Sequence, residues 1–303
     1  MSKFALPDAL KAEVPQTLWG KILVATPVVM TVLATALAGL SSSEMTRAQY
    51  SRSYAAQLQS KAGDQWGFFQ AKRLRGALQR SSLEMLRSIA DVRPLDAAVL
   101  RKAGIAADSP PGRLTLAALQ KGEVPQVDVS LPIDQNMKAA MDAVADQKPD
   151  TQIAAQLDRV SDQALAEALH KAQDASRGLD AALDPINRDI DQLEKFVAGA
   201  DKALNRDFTA AKLRYTTTRY DAEARLNQAI ANLYELQVHK SNLDAERHHK
   251  RSQMFFFGML CAQAAVIIAT FSLAAQKRSI LWSLAAAVGA SAVFFACYVY
   301  LFM

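Results

Sequence analysis

The stretch Arg247-His248-His249-Lys250-Arg251-Ser252-Gln253-Met254-Phe255-Phe256-Phe257 is where this chain changes solvent. Before it the sequence is polar and helix-forming. After it, from Met254 to Met303, the only charged residues are the adjacent Lys277 and Arg278. They divide two apolar runs, Met254–Ala275 and Ile280–Met303, each longer than the ~20 residues that a helix rising about 1.5 Å per residue needs to cross hydrocarbon. The turn Gln276-Lys277-Arg278-Ser279 is too short for anything but an antiparallel connection. A C-terminal two-helix transmembrane hairpin is therefore expected.

Towards the amino terminus, a polar tail over 1–20 precedes another apolar run, Lys21–Leu40, with Trp19 at its edge. Lys21 is placed to carry its ammonium to the interface. Ala36-Leu37-Ala38 resembles a signal cleavage site, but the run exceeds the roughly 7–15 residues of a signal core and reads as a retained span. Pro27 inside it is expected to bend it modestly. The chain crosses the membrane three times in this reading. Cys261 and Cys297 both fall in the hairpin, as small packing residues rather than disulfide or metal partners.

Charge argues against nucleic acid. The formal charge is +5, yet between Ser41 and Ser252 there are 30 Lys/Arg against 28 Asp/Glu, a balance that attracts no polyanion. Only Met45–Arg113 is basic, with 12 Lys/Arg against 5 Asp/Glu, which suits a surface beside anionic headgroups.

Between the spans, Tyr50, Tyr54, Leu58, Trp66, Phe69, Leu74, Leu78 and Leu86 recur at mostly helical steps. They predict an amphipathic helix over 41–90 that leads away from the membrane. Pro94, Pro110, Pro111, Gly112, Pro125, Pro132 and Pro149 break 91–149 into a small cap or elbow. Short helices are expected there at 95–103, 113–120 and 134–146, and one extended piece at Val127–Leu131. A helix resumes at Thr151 through Ile153, Leu157, Val160 and Ala164, weakens near Gly178, and restarts at Asp184-Pro185, a capping side chain followed by proline at the first helical position.

From there to Ser252, Leu204, Phe208, Ala211, Tyr215, Thr218, Ala222, Leu226, Ala229, Leu233, Leu236, Lys240 and Leu243 alternate steps of four and three, with one doubled four after Ala222. This is a coiled-coil seam with a stutter. If continuous through Gly199, the helix is on the order of 100 Å long. The helices at 50–86 and 153–172 are available partners within the chain. Seam positions that are Ala or Thr bury little area, so the stalks of several subunits are expected to share a core.

Two stretches carry a resemblance. One is Ala62-Gly63-Asp64-Gln65-Trp66-Gly67-Phe68-Phe69-Gln70-Ala71-Lys72; the other is Arg247–Arg251 together with Lys277-Arg278-Ser279-Ile280-Leu281-Trp282. Together they resemble a widespread bacterial family of three-pass membrane proteins known only as a domain of unknown function, with an Asp-Gln-Trp-aromatic-aromatic-Gln-Ala-Lys motif, a coiled coil and a C-terminal hairpin. Here Gly67 separates Trp66 from the Phe pair. The resemblance spans about 19–87 and 215–303, makes 91–184 an insertion, and implies architecture without an activity.

Candidate chemistry is sparse. His248 and His249 point about 100° apart on a helix and cannot chelate together, so Arg247, His248, His249, Lys250 and Arg251 read as a headgroup-binding cluster, with Lys21, Lys277, Arg278 and Trp282 at the same interfaces. Trp66 and Phe69 read as packing against the long helix. Asp180, Asp184, Asp189 and Asp191 lack the glycine and terminal glutamate of a calcium loop. There is no phosphate loop or nucleophile elbow, so no catalytic residue, metal or cofactor is expected. A pore is disfavoured because the spans carry no Asp, Glu, Lys, Arg or His beyond Lys21 at an edge. Instead they pair small residues, Ala265 with Ala269 and Ala285 with Gly289, and Gln263 is expected to bond between helices.

The expectation is an all-α membrane protein: tail 1–20, span 21–40, ascending helix 41–90, cap 91–149, coiled-coil helices 150–252 and hairpin 253–303. Its stalk packing rests on Trp66, Phe69, Leu204, Phe208, Tyr215, Leu226, Leu233, Leu236 and Leu243. It is expected to be a non-enzymatic scaffold of the bacterial inner membrane that contacts lipids and forms a homo-oligomer, or an accessory subunit of a larger respiratory or transport complex. Loop charges tilt the stalk towards the periplasm.

Overall fold

The computed structural model describes residues 18–126, 130–274 and 278–302. These residues form eight α-helices and no strand: α1 (Leu18–Ile89), α2 (Ala97–Lys102), α3 (Pro110–Lys121), α4 (Gln135–Ala145), α5 (Asp150–Leu157), α6 (Asp162–Val197), α7 (Lys202–Ala274) and α8 (Arg278–Phe302). The all-α class holds, and α1, α7 and α8 are each long and apolar enough to cross a membrane, with mean hydropathy of 2.1, 2.1 and 2.0 over their most apolar windows. The chain divides into two compact units, Met1–Tyr54 with Ser241–Met303, and Ala55–Lys240. The helices α1 and α7 contribute to both.

The first unit packs the apolar parts of α1, α7 and α8 through small residues. Its core joins Ala34 and Leu37 to Phe255, Ala262, Ala292 and Val299. A Cβ on Gly258 would lie 3.3 Å from Leu37, the Ala292 carbonyl and Phe295, so the three helices converge there. Ala265, Ala269 and Ala285 are fully buried, and Gly289 accommodates the Met30 side chain. Hydroxyls inside these helices are satisfied locally, as Thr26, Thr31 and Thr35 donate to the carbonyls four residues back. Gln263 does not bond between helices; it is exposed on the outer side of α7. That outer surface is apolar, with Val28, Val32, Ile267, Phe271 and Phe294 exposed, as contact with lipid requires.

The second unit is built on an antiparallel pair. Around the turn at 198–201, Glu194 meets Lys212 at 2.7 Å, the Tyr215 hydroxyl donates to Asn187 at 3.1 Å, Gln173 donates to the Tyr234 hydroxyl at 2.8 Å, and Asp162 meets Lys240 at 2.6 Å. These contacts recede from the turn in step on α6 and α7. Along the other side of α7, α1 is held by Trp66 Nε1 donating to Glu235 at 2.7 Å and by Arg80 with Asp221 at 2.8 Å, again antiparallel. Residues of 95–119 complete the core against Leu179, Leu183, Ile186, Ile190, Leu193 and Val197. Here α3 is sharply framed: Ser109 caps it, Pro110 opens it, and Gly122 ends it at φ 73°.

Several expected boundaries move. The helix drawn from Pro185 to Ser252 is broken at Ala198–Asp201, where the Asp201 side chain accepts from Leu204 N at 2.8 Å and starts α7. Conversely, Gly178 and Pro185 lie inside α6. An interior proline costs about 3 kcal/mol, but Leu179, Leu183, Ile186, Ile190, Leu193 and Val197 are buried at steps of four and three on both sides of it, and that burial outweighs the lost hydrogen bond. The helix expected to run unbroken from Thr151 to Ala164 stops at Leu157, and Ser161 caps α6 afresh. The short helices of the 91–149 region appear within a few residues of their expected places. Of the extended piece at Val127–Leu131, residues 127–129 lie outside the described residues, as do Gln276 and Lys277 of the hairpin turn.

The largest correction concerns faces. On α1 the buried positions are Ala48, Ala55, Leu58, Ala62 and Leu83, whereas Tyr50, Tyr54, Leu74 and Leu78 are exposed. Of the expected row Leu58 is buried and Trp66, Phe69 and Leu86 are half-buried, and alanines fill much of the rest of the inward face, where they let α1 lie close to α7. On α7 the seam is already covered within one chain: Phe208, Tyr215, Leu226, Leu233 and Leu236 are buried, and Leu204 and Leu243 half-buried.

Candidate functional site

Where α1, α6 and α7 meet in the second unit, the structure assembles a polar layer that residue patterns did not reveal. Glu223 pairs with Lys72 from α1, and its other oxygen lies 3.4 Å from Arg219 Nε. Arg219 also donates to Asn187 of α6 at 2.9 Å, sharing that oxygen with the Tyr215 hydroxyl. The two cations lie over aromatic faces, Arg219 at 4.9 Å from the Tyr220 ring and Lys72 at 5.4 Å from it. Glu223 is 13% exposed, Arg219 20% and Lys72 27%. One carboxylate thus serves two largely dehydrated cations and ties α1 to α7, while Arg219 and Tyr215 extend the layer to Asn187 of α6.

Beside this layer runs a cleft of about 770 Å³, walled by Gln79, Asn187, Glu194, Lys212 and Arg219. Its chemistry is that of a structural network. Burial pushes the Tyr215 phenol up to about 12 despite Arg219 nearby, so it remains a neutral donor at physiological pH. Because the folded state holds that proton, stability associated with it is lost as pH rises from about 10 towards 12. Glu223 is committed to its two cations. Among the described residues no cluster of three His, Cys, Asp or Glu side chains could hold a metal ion.

The expected interface residues fall in the first unit and are separately engaged. Lys21 is exposed, Lys277 lies outside the described residues, and Arg278 is the first residue of α8. Trp282 donates its indole N–H to the Thr26 hydroxyl at 3.1 Å. His248 Nδ1 meets Glu44 at 2.6 Å, while His249 Nε2 faces Gln253 at 3.1 Å. The adjacent histidines therefore serve different partners. Arg247 lies 3.7 Å from Asp244, Lys250 is 2.6 Å from Glu246, and Arg251 is partly buried. One turn on, Ser41 and Ser252 each donate to the other's backbone carbonyl, at 2.9 and 2.8 Å. Polar clasps thus join α1 to α7 where both helices become apolar.

Trp66 packs edge-on to Phe69 at 5.4 Å, and both are half-buried. The indole bond to Glu235 was missed by the packing reading, as were the Glu44–His248 and Lys72–Glu223 pairs. Nothing in their spacing marks partners that lie more than 150 residues apart.

Among the described residues, the opposite face of α1 is exposed. Leu74, Leu78, Met85 and Ile89 are 63%, 58%, 66% and 77% exposed. On the same side, Gly63 and Gly67 have open space where a Cβ would stand. A glycine inside a helix costs about 1 kcal/mol relative to alanine, and no contact within the chain requires either one.

Compared with known proteins, residues 21–108 match the family model described as a domain of unknown function (DUF4337). The chain matches none of the curated proteins and none of the solved structures compared with it.

Replacing Glu223 with Leu should lower stability by about 1–3 kcal/mol, less than the 3–5 of a fully buried pair because Lys72 and Arg219 keep some water. Adding Lys72→Met and Arg219→Met should recover most of the loss. Thermal unfolding followed by circular dichroism of the detergent-solubilised chain checks both, and a triple variant no more stable than Glu223→Leu would contradict the charge account.

Proposed function

We propose that this chain is a non-enzymatic scaffold anchored in a bacterial inner membrane by three passes, with its second unit serving as an assembly platform. The observation that supports this reading is the bare apolar face of α1, on a folded unit whose own helix seams are already filled. Isolated exposed apolar residues need no explanation, but a row of them along one helix marks an interaction surface. The exposed Lys21, Arg247 and Lys250 fit contact with lipid headgroups at the ends of the spans. The match to a domain of unknown function is compatible with the three-pass family resemblance and carries no activity with it.

The tagged protein, extracted from its own membranes in mild detergent, should emerge as a multiple of 33.0 kDa. Other proteins in fixed ratio would favour the accessory-subunit reading, and a lone monomer at all concentrations would contradict the scaffold.

The balance of basic residues around the short segments favours the second unit in the periplasm. Ser130→Cys, at an exposed position, should react with an impermeant thiol reagent in intact spheroplasts. Protection until lysis would place it in the cytoplasm.

A further inference from the structure

Inside the first unit, α1 and α8 leave between them an apolar groove of about 450 Å³. We propose that this groove seats one acyl chain of an anionic phospholipid, whose headgroup lies at the end of the span marked by Lys21 and Arg278. The proposal deepens the lipid contact of the membrane anchor and rests on that part of the scaffold reading.

Direction comes first. Trp282 donates its indole N–H to the Thr26 hydroxyl at 3.1 Å, and Gly289, two turns further along α8, accommodates Met30, one turn further along α1. The two helices therefore run the same way, and the groove opens from one membrane face for both. Ala286 and Gly289 are its more buried lining positions, while Ile22, Val29 and Val293 stand exposed at its rim.

Length selects the occupant. From Ile22 to Met30, and from Trp282 to Val293, the groove runs about 12 to 16 Å at about 1.5 Å per residue. That is about half of the ~30 Å hydrocarbon core. A helix crossing the bilayer beside α1 and α8 would need a contact along most of that thickness, whereas a lipid tail occupies a single leaflet. A groove that begins near one interface and stops near the midplane fits the tail.

Charge selects the headgroup. Lys21 immediately precedes Ile22 and is exposed, and Arg278 opens α8 one turn before Trp282. No acidic residue lies in 18–43 or 278–302. These segments thus bring two basic residues and no carboxylate to the mouth of the groove, the sign that an anionic headgroup complements. Tryptophan at the position of Trp282 suits the same interfacial depth.

The test uses the full-length protein with Trp19→Phe and Trp66→Phe, which keeps Trp282 as its one indole, in phosphatidylcholine vesicles holding a small fraction of phosphatidylglycerol. Trp282 fluorescence should be quenched more when brominated chains are carried by phosphatidylglycerol than when the same fraction of phosphatidylcholine carries them. Ala25→Leu with Ala290→Leu, at exposed positions lining the groove, should abolish that difference with the melting temperature unchanged. Lys21→Gln with Arg278→Gln should make the two lipids quench equally. Native mass spectrometry of the unaltered chain supplies a readout that needs no tryptophan variant: one phosphatidylglycerol should stay on the 33.0 kDa chain and be lost from the double leucine variant. Equal quenching by both lipids in the parent protein, or a retained lipid that survives filling of the groove, would mean ordinary bilayer contact and overturn the inference while the anchor stands. Trp282 shielded from both brominated lipids would mean that protein covers the groove, and the inference fails while the scaffold reading stands. Release of the chain from its native membranes by alkaline carbonate would sink the anchor and the inference together.

Discussion

Between residues 208 and 238, α7 buries side chains on two sides, and the second unit depends on that double burial. Phe208, Tyr215, Leu226 and Leu233 lie on one side, where α6 supplies Leu179, Leu183, Ile186 and Ile190. A second row, Ala210, Thr217, Ala224, Ala231 and Val238, repeats every seven residues and is buried throughout. It lies on the side where Asp221 and Glu235 bond to α1. One partner helix cannot cover both rows, so the unit needs two. Both precede α7 in sequence, α1 at a distance and α6 immediately before the turn.

The two contacts differ in kind. The α6 side buries large branched and aromatic residues, which contribute most per residue through area removed from water. The α1 side is lined by alanines and by Gly76, where the backbones come close and charged pairs carry specificity. Lys72 with Glu223 and Arg80 with Asp221 fix which residues of α1 sit beside which of α7, because a slip would leave Lys72 without its carboxylate in a site partly shut off from water. In the first unit, reciprocal serine bonds and the Glu44–His248 pair hold the same two helices near the point where they turn apolar.

The class of fold was legible because length and apolarity suffice to recognise spanning helices, and the row from Leu204 to Leu243 was legible because its members recur at steps of four and three. The small-residue packing of Ala265, Ala269, Ala285 and Gly289 was legible too, but in the second unit the close contact set by alanine and glycine escaped. The rows Ala55–Ala62 and Ala210–Ala231 carry the close contact, yet alanine is too common in exposed helices to mark a buried face, and Leu74 and Leu78 drew the eye to the wrong side of α1. Pro185 and Gly199 misled in a related way. Local propensity places a helix start at the first and permits passage through the second, whereas burial of Leu183 and Ile186 carries α6 through the proline and the turn falls at the glycine. The polar layer had no signal at all in one sequence, since its members come from three distant segments.

The most direct test of this account is a disulfide between α1 and α7. A Cβ at Gly76 would lie 3.5 Å from that of Tyr220, close to the ~3.8 Å typical of a disulfide. With Cys261 and Cys297 replaced by serine, the Gly76→Cys, Tyr220→Cys protein should oxidise within one chain. It should migrate as a 33.0 kDa species that shifts only on reduction. A band of twice that mass as the main product would mean that the seam of α7 is covered by another copy's helix, and the single-chain core described above would be wrong.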